Sequence, residues 1–198
     1  FDDEKEARRA LVENFTGAFE PIARDVKVQV DFDPAQVQSY RLLGYENRAV
    51  ADADFRNDAV DAGEVGAGHQ VVALYEVIRT GAAADGPLAT VHLRWKAPHA
   101  QGVATAGGDE ATEISKPIAA RDAAGSYAAT SAGYRRSVLA AQFAEFLRRS
   151  FHARNDSLDR LIEEAQRLRG ELKDEDTAEL VTLIERSKAL LLERHRRY

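Results

Sequence analysis

Asp25-Val-Lys-Val-Gln-Val-Asp-Phe32 alternates charged or polar residues with apolar ones along its whole length. A period of two lines Val26, Val28, Val30 and Phe32 along one face of a β-strand, and Asp33-Pro34 stops it. The pattern returns in Leu88–Lys96, with Ala89, Val91, Leu93 and Trp95 inward and Thr90, His92 and Arg94 outward. Between the two, His69–Thr80 is apolar on both faces through Val71, Val72, Leu74, Tyr75, Val77 and Ile78, which predicts a central, buried strand. With Gly81–Pro87 as the turn, this run and Leu88–Lys96 predict a long antiparallel hairpin. Val37–Tyr45 reads as a further extended run and Glu110–Ile118 as a weaker strand. Loops are expected over 46–68, with one helical turn near Ala51–Phe55, and over 98–108.

On either side of these strands the period changes to that of a helix. Asp2–Ala23 carries Ala7, Leu11, Val12, Phe15, Ala18, Phe19 and Ile22 at three- and four-residue spacing. Ser126–His152 carries Leu139, Phe143, Phe146, Leu147 and Phe151 in the same way. Asn155 or Asp156 is placed to cap a second helix through Leu158, Leu161, Ile162, Ala165 and Leu168, ending near Arg169 with Gly170 to close it. A third helix starts at Asp174 and runs on Ala178, Val181, Leu183, Ile184, Ala189 and Leu191. The fold class is therefore α+β: an antiparallel β-sheet or sandwich-like half, then a C-terminal bundle of about three helices, with an N-terminal helix ahead of both. The expected division is 1–24, a β-rich domain over 25–122, and a helical region over 123–198 packed on or beside it.

Of the 198 residues, 44% are hydrophobic and 30% charged, ordinary for a globular domain with its own core. The net charge of −6 argues against nucleic acid as a partner, because phosphate binding draws on an excess of cations. No window reaches the roughly 18 to 20 apolar residues of a membrane span. Without cysteine there is no disulfide scaffold, cysteine-ligated metal or thiol nucleophile. The chain opens at Phe1 with no basic-then-apolar leader, so it reads as a segment of something longer.

Three features invite a chemical reading. The loop containing Asp52, Asp54, Asp58, Asp61 and Glu64 offers oxygen ligands in the number calcium wants, but not at EF-hand spacing. The competing reading, a solvated loop whose Asp and Asn side chains bond their own backbone, is preferred. Gly63, Gly66 and Gly68 do not form a phosphate cradle, because a strand follows rather than a helix N-terminus and the P-loop lysine is missing. They are expected to serve the backbone, at positive φ or in close packing. His69 lies beside them and can orient the loop; no partner for catalysis is evident. No Gly-x-Ser-x-Gly elbow or glycosidase carboxylate pair occurs, and the histidines lack zinc-site spacing. Arg194-His-Arg-Arg197 reads as a basic end to a helix, and Trp95 as packing.

Ala23–Pro34, Tyr40-Arg-Leu-Leu-Gly-Tyr-Glu-Asn-Arg48, Asp61-Ala-Gly-Glu-Val-Gly-Ala-Gly-His69 and Ala73-Leu-Tyr-Glu76 follow one another in an order that resembles the C-terminal region of bacterial YfbK-like von Willebrand factor type A proteins. There a domain of unknown function follows the type A domain. The resemblance is strongest over about residues 20–96 and continues through the helices. It implies that residues 1–24 are the last helix of a preceding type A domain. It makes Tyr40, Arg41, Gly44, Tyr45, Glu46, Asn47, Arg48, Asp61, Gly63, Gly66, Gly68 and His69 a family signature of structural character. The family's adhesion metal is held by an Asp-x-Ser-x-Ser motif in the type A domain. That motif is absent here, so no cofactor is expected in this chain and the divalent metal belongs to the missing domain.

The expected function is a non-enzymatic accessory or interaction module that binds protein partners through the full-length protein, extracytoplasmic or membrane-anchored. A homodimer of the isolated segment is also expected, through an uncovered sheet edge. Two alternatives stand beside it: a divalent-metal or hydrolytic module using the acidic loop and His69, and an intracellular type A partner of a chaperone-like ATPase.

Overall fold

The structure, a computed structural model, describes residues 21–44, 50–81, 86–98 and 110–196, with side chains to 191. Its strands are β1 (Pro21–Phe32), β2 (Val37–Leu42), β3 (Gly63–Gly66), β4 (Tyr75–Arg79), β5 (Pro87–Lys96) and β6 (Thr112–Ala119). Three α-helices follow, α1 (Ala132–Leu147), α2 (Leu158–Leu172) and α3 (Glu175–Arg196). The α+β class expected from the two periodicities is what the chain adopts. It divides into two compact units: residues 1–40, 46–71 and 77–122 in one, and 41–45, 72–76 and 123–198 in the other. The helix expected over Asp2–Ala23 lies largely outside the described residues, and its last three residues, 21–23, belong to β1.

The first unit is built on an antiparallel sheet in the order β3-β1-β5-β6. The alternation in β1 and β5 sets the register: Val28 faces Leu93, Val30 faces Val91 and Phe32 faces Ala89. The polar positions Lys27 and Gln29 lie opposite Arg94 and His92 on the other face. A bulge between Arg24 and Lys27 kinks β1, with Asp25 at φ +49°. A short antiparallel ribbon of β2 and β4 is tied at its ends by Thr80 N–H to Gln36 O (3.0 Å) and Leu43 N–H to Leu74 O (2.7 Å).

The expected central strand over 69–80 is corrected here. Only 75–79 is strand, it pairs with β2, and Val71, Val72 and Ile78 are 86%, 64% and 57% exposed. The long hairpin with β5 does not form because β1 and β6 already fill both edges of β5. A run apolar on both faces signals burial only if the sheet has an edge to give it.

In the second unit, Leu139 and Phe143 of α1, Leu158, Leu161, Ala165 and Leu168 of α2, and Val181 and Ile184 of α3 make one core. Their three- and four-residue spacing stacks them along the facing stripes of the helices. Ser131 caps α1 and Ser157 caps α2, each hydroxyl accepting a backbone N–H three residues on. The cap of α2 is thus Ser157, not Asn155 or Asp156. Gly170 does not close that helix: it lies inside α2, which ends at Lys173 in the left-handed region (φ +53°). Asp174 opens α3 as expected, its Oδ1 accepting the Thr177 N–H at 2.8 Å.

Helix α1 stops earlier than its apolar spacing suggested. Arg149 takes φ +54°, its N–H bonds Phe146 O, and the Ser150 N–H bonds Glu145 O, both at 3.0 Å. This is the paired closure of a Schellman motif, usually made by glycine. Leu147 and Phe151, expected on the buried stripe, are left 53% and 68% exposed.

Candidate functional site

The acidic loop belongs to the first unit, where it covers the polar face of the sheet. Phe55, 4% exposed, is set by the short 3-10 turn Asp52–Asp54 and meets the His92 ring edge-to-face with centroids 6.2 Å apart. Around it the sheet supplies cations. Lys27, 4% exposed, donates from Nζ to the carbonyls of Asn57 (2.6 Å) and Asp54 (3.4 Å). Lys96 Nζ donates to Asp58 O (3.1 Å) and pairs with Asp25 Oδ2 (2.9 Å). Arg94 holds Asp58 Oδ1 at 2.8 Å, and Arg56 forks onto Glu113 of β6 at 2.7 and 3.1 Å.

Electrostatics follow this geometry. The hydrogen bond from Lys96 holds the Asp25 carboxyl below its usual range, against the opposing effect of burial. Arg94 does the same for Asp58, and Arg56 for Glu113. Asp25 also accepts the Ala62 N–H at 3.3 Å, so its strained backbone is held at both carboxylate oxygens. His92 sits between strands, Nδ1 on Ser115 Oγ (2.7 Å) and Nε2 at 3.2 Å from Asp31.

The carboxylates proposed for calcium are therefore not gathered. Asp58 points at Arg94, and Asp54 Oδ1 accepts from Asn57 Nδ2 at 3.1 Å. Asp52, Asp61 and Glu64 lie on the exposed side of their segments. Among the described residues no three of His, Asp and Glu come together as a metal would need. His69 is exposed, with its backbone N–H on Gly66 O (3.1 Å). Gly68 takes φ +80° in that turn, while Gly63 and Gly66 pair with Val26 and Pro21.

The Tyr40-to-Arg48 signature runs between the units in sequence. Tyr40 packs its ring on Phe32 at 4.3 Å. Arg41 belongs to the second unit, where it binds Glu76 and reaches Glu145 Oε2 of α1 at 3.2 Å. The Glu145 side chain is 6% exposed; Ser150 first, then Arg41, hold its carboxyl below the usual range. Arg148 completes the cluster, with Nε 3.2 Å from Glu145 Oε1 and Nη1 donating to Gly44 O at 3.2 Å. Gly44 sits at φ +101°, a backbone state that side-chain-bearing residues avoid. Tyr45, Glu46, Asn47 and Arg48 lie outside the described residues, as does Arg197; the side chains of Arg194, His195 and Arg196 do too.

A family model described as the C-terminal region of the uncharacterized protein YfbK matches residues 17–87 and 80–190. The chain belongs to the YfbK C-terminal family. Uncharacterized protein YfbK of Escherichia coli (strain K12) is 30% identical to it over 202 residues, covering 93% of this chain. This YfbK-type chain spans 33% of that relative's length. No solved structure matches it.

An open cleft of about 490 Å³ lies between α1 and α2 of the YfbK-type bundle, lined in part by Tyr127, Gln142, Arg160, Leu161 and Glu164. Burial, then the nearby Glu164 charge, pushes the Tyr127 phenol up to about 12. A phenol so held stays neutral and serves as a hydrogen-bond donor, here to Arg135 O at 3.3 Å.

The sequence reading missed Lys27, Arg56, Arg94, Lys96, Glu113 and Glu145. One signal was present: three cations at the supposedly outward positions 27, 94 and 96 are opposite in sign to an acidic loop that must lie somewhere.

Proposed function

We propose that this chain is a non-enzymatic accessory domain that follows a von Willebrand factor type A domain in a bacterial cell-envelope protein and supports its binding to protein partners. One observation carries the reading. The conspicuous ionisable groups are committed to holding the chain together: Asp58 to Arg94, Glu113 to Arg56, Asp25 to Lys96 and Glu145 to Arg41. A catalytic carboxylate or histidine needs reach to a substrate and a poised proton; carboxyls held below their usual range by paired cations are not poised. Exposed side chains such as Val71 and Phe151, 86% and 68% accessible, are of the kind that docking surfaces use.

The test is in-cell crosslinking of the full-length protein with and without residues 21–196. Loss of a partner on removal of the domain is expected. An unchanged set of partners would overturn the reading.

A further inference from the structure

The turn between α1 and α2 projects an aromatic ring and arginines from a chain whose net charge is −6. Residues 147–154 read Leu-Arg-Arg-Ser-Phe-His-Ala-Arg, three arginines and no acid. The Arg154 guanidinium stacks over the Phe151 ring at 4.2 Å, and His152 meets that ring edge-on with centroids 5.6 Å apart. Arg148 is committed to Glu145 and Gly44, while among the described residues Arg149 and Arg154 face no carboxylate.

Arg149 also occupies a backbone state that glycine adopts with less strain, at φ +54°. Lys173 closes α2 in the same state, so the backbone alone does not distinguish Arg149; what does is its exposed guanidinium beside Phe151 and Arg154.

We infer that this turn is the docking surface for an acidic stretch of a protein partner. The inference rests on the protein-binding reading above and names the partner's chemistry. Phe151, exposed and stacked by Arg154, is the apolar anchor, and Arg149 and Arg154 present planar forks that match carboxylates. An acidic peptide covers only the cationic turn. An anionic bilayer is an extended surface that also meets the negative charge around the turn, and it is the poorer fit.

The experiment uses the whole chain and a fluorescent synthetic peptide of alternating Glu and Leu, read by anisotropy at two salt concentrations. Wild type binds, more weakly in high salt. Arg149→Gly weakens binding at least about fivefold while raising Tm by about 4 °C, two effects of opposite sense that a purely structural arginine does not produce. Phe151→Ser weakens binding with Tm unchanged. Equal binding by wild type and Arg149→Gly overturns the inference. So does a preference for phosphatidylserine vesicles over the peptide, or a concentration-dependent dimer abolished by Arg149→Gly. If crosslinked partners persist in the full-length Arg149→Gly/Arg154→Ala protein yet vanish when the domain is deleted, the docking surface is wrong and the protein-binding reading survives.

Discussion

Replacing Lys27 by Met tests the account of the acidic loop most directly. Methionine keeps the length and apolar stem of lysine but removes the ammonium that reaches the Asn57 and Asp54 carbonyls at 2.6 and 3.4 Å. The longer contact is at the limit of a hydrogen bond and adds little. The shorter one is a charge-assisted bond at a residue 4% exposed, worth about 1.5–3 kcal/mol. Relief from holding an ammonium out of water offsets part of this, so the expected loss is about 2 kcal/mol. Trp95, the single tryptophan, lies in β5 of the same unit, so its fluorescence follows the sheet through a urea titration. Far-UV circular dichroism follows the helices. The tryptophan transition should move to lower urea. A shift below about 0.5 kcal/mol would refute the idea that the ammonium anchors the loop, since that is the range of an ordinary surface change.

Arg41→Ala should lower the stability of the helical unit by about 1–3 kcal/mol, because Glu145 loses a charged partner at a site 6% exposed; circular dichroism in urea measures it. Arg41→Lys should recover little, since one ammonium cannot span Glu76 and Glu145 as the fork does. Stability of the sheet unit should be full above the ordinary carboxyl values of 3.8 and 4.5 and fall as pH drops through and below them. The sign follows from Asp25, Asp58 and Glu113 being depressed in the folded state: acid returns protons that folding had excluded, and Trp95 fluorescence against pH records the loss. The 295 nm difference absorbance between wild type and Tyr127→Phe should stay flat through the ordinary phenol value of 10.0 and rise only towards about 12. A rise centred at the ordinary value would show that neither burial nor Glu164 acts on that phenol.

Periodicity made the α+β class and most elements legible, because alternation in β1 and β5 and the helical spacing in α1, α2 and α3 are direct consequences of which faces are buried. Pairing was less legible. The run at 69–80 has the composition of a buried strand, yet whether it is buried depends on β1, distant in sequence, taking the β5 edge first. The end of α1 was hidden for a local reason: an arginine occupies the left-handed closing position at 149, where glycine would have announced the stop. For the candidate site, the loop's acids were visible and their partners were not. Lys27, Arg94 and Lys96 stand at positions that alternation assigns to solvent, and only the folded loop shows that this second face is covered. Glu145 was hidden similarly, since one acid among apolar helix residues has no pattern until Arg41 arrives from 104 positions away.

The two buried lysines grip their loop by its carbonyl oxygens at Asp54, Asn57 and Asp58. Every amino acid brings a carbonyl, so this grip asks for the loop's path and is indifferent to most of its spelling. Sequence drift can therefore rewrite the exposed positions of 52–62 while the loop stays seated, provided Lys27 and Lys96 remain on the strands and Phe55, Arg56 and Asp58 keep their partners. Most of the loop's acids then become the replaceable part and two ordinary-looking strand lysines the fixed one, the reverse of the ranking that a density of acids and glycines invites.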